Sequence, residues 1–236
     1  MIWEQSCNIQ EITGSNDLVI VYGTNSMAEN LDLYKILTPE DLIYADRLKG
    51  SGQKSTWLSC RSALRLILGS YLDKPPVEIE FKKGRFGKLF IVGTDLCFNV
   101  SHTSHSFLIA FNSSGRIGVD IEILTGKEDL PSLIRYAFSE DEADYCNNGN
   151  LAERFTEVWT RKEALLKAAG IGLVDQLTAI TVIGTTENDI SRLKLNSKTF
   201  TCPNGETGSI VYRKDQPIIF FVLNENSPEL IRISKQ

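Results

Sequence analysis

Alternating hydrophobic and polar residues recur in short runs along the whole chain of 236 residues. Because successive side chains of a strand point to opposite faces, such runs predict β-strands where glycine, proline or polar residues bound them. The predicted strands cover residues 17–22, 77–81, 89–92, 96–100, 107–112, 116–123, 209–212 and 218–223.

Hydrophobic residues at helical spacing predict two long helices, at residues 54–72 and 151–169, with Gly170 ending the second. Two shorter helices are predicted from their start signals. A threonine followed by proline and two acids opens a helix over 38–48, and a serine three residues before a glutamate opens another at 139–142.

Each half of the chain therefore holds several strands and one dominant helix. We predict an α+β fold of two similar-sized lobes, each a small, mainly antiparallel sheet packed with one long helix. The serines and glycine at 113–115 form the natural joint, so the lobes are expected at residues 1–115 and 116–236.

Composition excludes several classes of protein. Hydrophobic residues make up 42 % of the chain, which is enough to form a core. The net charge of −5 disfavours general binding to nucleic acid or to an anionic membrane. The five scattered cysteines form no Cys-x-x-Cys motif, which favours a reducing cytosol over a disulfide framework. The N-terminus has no signal-peptide pattern, and the longest apolar run is too short for a membrane span. We expect a soluble, cytoplasmic monomer without nucleic-acid or membrane partners.

The predicted strand at 116–123 carries two acids on one face. Asp120 and Glu122 are one strand repeat apart, about 7 Å, where two like charges at an effective dielectric of 20 repel by about 2 kcal/mol. A solvent-exposed strand face would tolerate this pair, and a metal ion would stabilise it. Spacing within the strand leaves both explanations open.

The long helix at 151–169 carries charges in and beside its hydrophobic stripe. Lys162 falls inside the stripe, where an unpaired ammonium is costly, so it reaches past Phe155 to solvent or binds a partner. Glu163 and Lys167 lie on the edge of the stripe. They could form a surface i,i+4 pair worth about 0.3–0.5 kcal/mol, or they could serve a site.

Both histidines of the protein lie in the segment FNVSHTSHS, residues 98–106, which is expected to leave a strand and form a loop. His102 and His105 without a third nitrogen or sulfur ligand nearby make a poor zinc signature. Phosphate binding fits better, because Ser101 can donate a hydrogen bond and protonated His102 offers positive charge.

Three motifs in this order and spacing resemble those of 4′-phosphopantetheinyl transferases, of the type that activates surfactin synthetase. They are FNVSH at 98–102, IGVDIE at 117–122 and WTRKEALLK at 159–167. The N-terminal lobe of the family is matched less closely, by the segment GRFGKL at 84–89 and by the helix around Arg61. The family commonly has Gly-Lys-Pro where this chain has a leucine after Lys88, so the loop lacks a stiffening proline.

The resemblance implies transfer of the phosphopantetheine arm of coenzyme A to a serine of an apo carrier protein, with Mg²⁺, releasing adenosine 3′,5′-bisphosphate. It assigns Asp120, Glu122 and Glu163 to the Mg²⁺ site in the C-terminal lobe. It also makes Glu163 the base toward the carrier serine and Lys167 the partner of the pyrophosphate and leaving phosphate.

The resemblance further assigns a set of residues to the phosphate groups or adenosine end of coenzyme A, with His102 also counted as catalytic. Basic side chains suit this role because phosphate forms charge-assisted hydrogen bonds with them. The set is Arg61, Lys88, Ser101, His102 and Lys167, with Lys162 as a further candidate.

Two other functions are compatible with clustered acids. A Mg²⁺-dependent pyrophosphatase would need further acids on the helix, where Leu166 and Lys167 stand instead. A non-catalytic homologue that only binds coenzyme A or a carrier protein would have no need to keep Asp120, Glu122 and Glu163 together with Lys167.

Overall fold

A computed structural model describes residues 3–7, 17–26, 35–113, 115–124, 126, 129–172, 177–183, 189–213, 216–223 and 230–233. Its strands are β1 Trp3–Cys7, β2 Leu18–Thr24, β3 Lys82–Lys83, β4 Leu89–Phe90, β5 Cys97–His102, β6 Ser106–Asn112, β7 Ile117–Glu122, β8 Asn196–Thr201, β9 Thr207–Tyr212, β10 Ile218–Leu223 and β11 Leu230–Ile233. The α-helices are α1 Pro39–Asp46, α2 Ser51–Leu72, α3 Leu130–Ala137, α4 Glu140–Asn147, α5 Leu151–Ala169 and α6 Asp189–Arg192, with 3₁₀ helices at Pro76–Glu78 and Leu177–Ala179. The predicted α+β class is confirmed.

The chain divides into two compact units. The first comprises Met1–Lys82, Leu89–Ser113 and Gln216–Gln236, and the second comprises Lys83–Lys88 and Ser114–Asp215. The main division falls beside the predicted joint at 113–115. The loop that ends at Lys88 and the strand β10 each belong to the unit opposite to the lobe in which the sequence places them.

The first unit is built on a six-stranded sheet in the order β1–β11–β10–β2–β6–β5. β2 and β10 pair in parallel, and the other described pairings of this sheet are antiparallel. Helix α2 packs on the sheet through its apolar side, where Leu64 and Leu68 share a buried cluster with Val21 and Ile109. Burial of this stripe stabilises the unit, as expected for an amphipathic helix on a sheet.

The strand predicted at 77–81 is wrong, because Pro76–Glu78 forms a 3₁₀ helix instead. The buried guanidinium of Arg65 donates hydrogen bonds to the carbonyl oxygens of Pro76, at 3.0 Å, and Ile79, at 2.9 Å. Carbonyls that serve a buried cation are not available to a β-ladder, so this side chain holds the segment in its turn conformation.

The second unit is built on a three-stranded antiparallel sheet in the order β7–β9–β8, with α5 packed against β7 and β9. Gly118 sets the distance between α5 and β7. A Cβ atom at this position would overlap the carbonyl oxygen of Ala164 and the amide nitrogen of Ala168. The helix can therefore lie this close to the strand only because residue 118 has no side chain.

Local signals at the ends of α5 explain its predicted bounds, which are confirmed. The Asn150 side chain accepts hydrogen bonds from the amides of Ala152, at 3.2 Å, and Glu153, at 3.3 Å. Gly170 ends the helix in a left-handed conformation with φ of 70°. These are the residue types preferred at the two ends of a helix.

Of the two alternatives for Lys162, reach to solvent or a bound partner, the structure shows the second. Its ammonium is buried and lies 2.7 Å from Glu142 Oε2, in an ion pair whose two side chains are 3 % and 0 % exposed. It also donates to the carbonyl oxygens of Ala137 and Leu177, both at 2.8 Å, and Ile180, at 2.5 Å. Lys162 thus holds the segments around α5 together, and its charge is already balanced.

Among the described residues, no helix combines the length and the hydrophobicity needed to cross a bilayer.

Candidate functional site

Helix α5 and strand β7 place the candidate chemistry on two facing surfaces. Trp159, Glu163 and Lys167 are spaced four residues apart and so lie along one stripe of α5. The face of β7 next to the helix carries Asp120 and Glu122. The two surfaces meet through Lys167 of α5 and Asp120 of β7.

Lys167 pairs with Asp120 across the site. Its ammonium lies 2.6 Å from Asp120 Oδ1, and the two side chains are 28 % and 4 % exposed. It also donates to the Val119 carbonyl oxygen at 3.2 Å. The strand face is therefore not a solvated one, and Lys167 does more than pair with Glu163 on a helix surface.

The two glutamates of the site share an unfavourable environment for negative charge. Burial, followed by the nearby Asp120 carboxylate, raises the pKa of Glu122 to about 7, against the smaller effects of the Trp159 indole N–H and Lys167. Burial and Asp120 also raise the pKa of Glu163, which Lys167 opposes. Since like charges disfavour ionisation of each other, the three carboxylates form one electrostatic group.

Lys88 fastens the loop 83–88 to the framework of the same unit. Its ammonium donates to the carbonyl oxygens of Ile117 and Lys167, both at 2.7 Å. It thereby joins the start of β7 to the last turn of α5, which gives Lys88 a structural function. Its predicted contact with coenzyme A stays a prediction.

Within the described residues, no three histidine, cysteine, aspartate or glutamate side chains are grouped closely enough to hold a metal ion as they stand. The chemistry of the donors nevertheless fits Mg²⁺, which prefers a few carboxylate oxygens and keeps several waters. Burial and the neighbouring Asp120 carboxylate raise the pKa of Glu122 and of Glu163, so a bound cation would favour the charged form of both. Asp120, Glu122 and Glu163 stay the predicted Mg²⁺ ligands.

Ser101 and His102 lie in the first unit, and the structure corrects their local setting. The sequence predicts a loop here, but Ser101 and His102 are the last two residues of β5 and pair with Leu108 and Phe107 of β6. Ser101 is buried and His102 is exposed. Adjacent strand residues point to opposite faces, so the two side chains cannot meet one phosphate oxygen from the same side.

Arg61, also in the first unit, is packed between aromatic rings. Its guanidinium carbon lies 4.9 Å from the Trp57 ring centroid and 4.6 Å from that of Phe81. Its Nε lies 3.4 Å from Asp41 Oδ1, and its side chain is 13 % exposed. These contacts fix the Arg61 side chain within the first unit. Its contact with coenzyme A remains a prediction.

Two residues of the site escaped sequence reasoning. Trp159 stands four residues before Glu163 and so on the same helical stripe, which was a usable signal. Gly118 stands in the middle of a predicted strand, on the same face as Asp120 and Glu122, and a glycine inside a strand is typical of close backbone approach. Neither signal identifies the atoms that these residues contact, because those contacts depend on how α5 packs on β7.

The segment that holds this site is similar to a known protein family. Residues 116–218 match the family model described as the 4′-phosphopantetheinyl transferase superfamily. The segment holds β7, α5 and all five residues of the site. This part of the chain is therefore similar to that superfamily.

Individual relatives agree with the family match. The 4′-phosphopantetheinyl transferase HetI of Nostoc is 32 % identical over 149 residues, which cover 60 % of this chain and 63 % of HetI. AcpT of Salmonella typhi, also named a 4′-phosphopantetheinyl transferase, is 31 % identical over 123 residues, 50 % of this chain and 60 % of AcpT. The 4′-phosphopantetheinyl transferase Gsp of Aneurinibacillus migulanus is 30 % identical over 129 residues, 50 % of this chain and 53 % of Gsp. The chain thus spans between half and two thirds of the length of these relatives.

Proposed function

We propose that this protein transfers the 4′-phosphopantetheine arm of coenzyme A to a serine of an apo carrier protein, releasing adenosine 3′,5′-bisphosphate. The observation that carries the proposal is the placement of Asp120 and Glu122 on β7 beside Glu163 and Lys167 on α5, with Asp120 and Lys167 in an ion pair, inside the segment that matches the transferase superfamily. The resemblance to the surfactin-synthetase-activating type supports the same reaction.

In the proposed reaction, the carrier serine hydroxyl attacks the phosphorus atom that bears the pantetheine. The serine oxygen–phosphorus bond forms, and the bond from phosphorus to the oxygen of adenosine 3′,5′-bisphosphate breaks. Glu163 takes the serine proton, directly or through a water.

Lys167 supplies positive charge near the departing phosphate. Its bonds to Asp120 and the Val119 carbonyl fix the ammonium in place before the reaction begins. A preorganised charge stabilises the transition state without any cost of reorganisation at the moment of reaction.

Mg²⁺ would be held by Asp120, Glu122 and Glu163. When bound, the ion would neutralise negative charge on the pyrophosphate of coenzyme A. The three carboxylates provide the negative field that attracts it. Arg61, Lys88, Ser101 and His102 are proposed to contact the coenzyme, and the protein is proposed to act as a cytoplasmic monomer.

The proposal is tested by incubating the protein with coenzyme A, Mg²⁺ and a panel of acyl and peptidyl apo carrier proteins. We expect at least one carrier to gain the mass of one phosphopantetheine group, with release of an equal amount of adenosine 3′,5′-bisphosphate. A carrier whose acceptor serine is replaced by alanine should gain nothing. Consumption of coenzyme A without any carrier would favour a pyrophosphatase, and coenzyme binding without any product would favour a non-catalytic homologue.

A further inference from the structure

Lys88 bonds to both elements that carry the candidate site. Its ammonium lies 2.7 Å from the carbonyl oxygen of Ile117, the first residue of β7, and 2.7 Å from that of Lys167, in the last turn of α5. An ammonium has three N–H donors, so one group can hold carbonyls of two different elements. The backbones of α5 and β7 are thereby fixed to each other at the end of the site where Lys167 stands.

The bond to Ile117 uses the outer edge of β7, which is an end strand of the sheet β7–β9–β8. The Arg116 carbonyl, directly before β7, accepts from the residue after β9 at 3.1 Å and so faces β9. Carbonyls of neighbouring strand residues point in opposite directions, so those of Ile117 and Val119 face away from β9. Lys88 bonds the first of these edge carbonyls, and the Lys167 side chain bonds the second at 3.2 Å.

The bond to the Lys167 backbone lies at the end of a helix. The last four carbonyls of a helix have no partner in a following turn. The Lys167 carbonyl accepts from the Gly170 amide at 3.2 Å and from Lys88. A cation is also favoured here by the helix dipole. Lys88 therefore stabilises the turn of α5 from which the Lys167 side chain reaches Asp120.

The loop that carries Lys88 is closed by its own hydrogen bonds. The Gly84 amide donates to the Lys88 carbonyl oxygen at 2.8 Å, and the Gly87 amide donates to the Gly84 carbonyl oxygen at 3.0 Å. Gly87 has φ of 82°, which residues with a side chain rarely adopt. The Phe86 ring lies 3.2 Å from the position that a Cβ atom of Gly172 would occupy, just after α5. The loop is thus a closed turn that presents the ammonium to α5 and β7.

We propose that Lys88 is a positioning residue, which acts on the reaction through Lys167 by holding the last turn of α5 against the edge of β7. This inference rests on the proposed function. It adds to the proposed coenzyme contact of Lys88 a second role that needs no contact with substrate. The Lys167 ammonium is then in place before the reaction begins, and a displacement of about 1 Å at such a site can cost about a hundredfold in rate.

The test is a double-mutant cycle on the rate of phosphopantetheine transfer, measured at saturating coenzyme A and carrier protein. Lys88→Met keeps most of the side-chain length and removes the ammonium. We expect kcat to fall by about tenfold or more, and the Kd of coenzyme A to change less than kcat does. In a Lys167→Met background, Lys88→Met should lower kcat little further, because the two lysines act as one unit.

Arg85→Met is the matched control. Arg85 is exposed on the same loop, with its guanidinium carbon 5.3 Å from the Phe86 ring centroid. The change removes one positive charge from the loop and should leave kcat unchanged. All variants are compared below the lowest Tm among them, so that a lower kcat does not reflect loss of folded protein.

The Tm values of the same variants test the link without the reaction. The Tm loss of the double variant should be smaller than the two single losses combined, because both lysines close the same contact between α5 and β7. Strictly additive Tm losses would contradict the inference.

Equal fold-losses of kcat from Lys88→Met in the wild-type and Lys167→Met backgrounds would overturn the inference. So would a raised Kd of coenzyme A with an unchanged kcat, which would leave Lys88 with a coenzyme contact alone. In either case transfer by wild type leaves the proposed function standing. An absence of transfer by wild type to every carrier would overturn both.

Discussion

At the residue scale, the buried Asp120 carboxylate depends on the Lys167 ammonium. Lys167→Met removes this partner, and we expect the free energy of unfolding to fall by about 1–3 kcal/mol, the cost of leaving a buried group without its partner. Urea denaturation measures the change. Lys54→Met is the matched control, since Lys54 pairs with Asp46 at 2.7 Å but their side chains are 41 % and 71 % exposed. An exposed pair is worth about 1 kcal/mol at most, so equal losses in the two variants would contradict the account of Lys167.

Glu122 gives a prediction about pH. Burial and Asp120 raise its pKa from 4.5 to about 7, so its protonated form is favoured in the folded protein. In metal-free protein, we expect the contribution of Glu122 to the free energy of unfolding to be largest below pH 4.5. This contribution should be lost as the pH rises through about 7, and the total loss should be up to about 3 kcal/mol.

Glu122→Gln carries no titrating carboxyl and should lack this part of the pH dependence. The measurement is the free energy of unfolding of both proteins between pH 4.5 and 8 in the presence of a chelator, a range chosen from the ordinary and raised pKa of the group. Parallel stability curves for wild type and variant would show that Glu122 titrates normally.

At the element scale, the spacing of α5 and β7 is set by Gly118. Gly118→Ala places a methyl group where the Ala164 and Ala168 backbone atoms lie, and backbone cannot move aside as a side chain can. We expect a loss of stability of about 1–3 kcal/mol or more, together with loss of arm transfer as Asp120 moves away from Lys167.

Gly84→Ala is the control for the Gly118 change, because its Cβ would meet only the Lys88 carbonyl oxygen at 3.4 Å. Thermal melts and transfer assays of the two variants make the comparison. Normal stability and rate in Gly118→Ala would mean that α5 lies farther from β7 than the structure indicates.

The second prediction at this scale concerns the buried pair of Lys162 and Glu142. Lys162→Met leaves Glu142 buried and charged, and removal of one partner of such a pair costs about 3–5 kcal/mol. We expect chemical denaturation to show this loss, and Lys162→Met combined with Glu142→Leu to recover part of it. A change below about 1 kcal/mol in Lys162→Met would contradict the buried pairing, because that is the range of exposed pairs.

The elements themselves were predictable where their signals are local. Asn150 and Gly170 mark the two ends of α5, and the alternation at 116–123 marks β7. The strand predicted at 77–81 failed because the deciding contact comes from Arg65 on α2. Hydrogen bonds from the guanidinium of a residue on another element cannot be predicted from the hydrophobic pattern of the segment itself.

At the scale of the whole molecule, the sequence predicts two α+β units but not how the chain passes between them. β2 near the start of the chain pairs in parallel with β10 near its end, and the loop at 83–88 belongs to the second unit. Such pairings depend on long-range packing, for which local periodicity carries no information. The same limit hid the partner of Lys162, whereas the proposed roles of Asp120, Glu122 and Glu163 rest on resemblance to a family.

The measurement that tests the central claim most directly is the rate of phosphopantetheine transfer to an apo carrier protein by wild type and Asp120→Asn. The substitution keeps the shape of the side chain and removes the charge that Lys167 and the proposed cation require. Asp46→Asn, at an exposed pair, is the control. We predict that intact-mass analysis of the carrier will show transfer by wild type and Asp46→Asn at similar rates, and a loss of roughly a hundredfold or more in Asp120→Asn. Transfer by a folded Asp120→Asn at the wild-type rate would contradict the account.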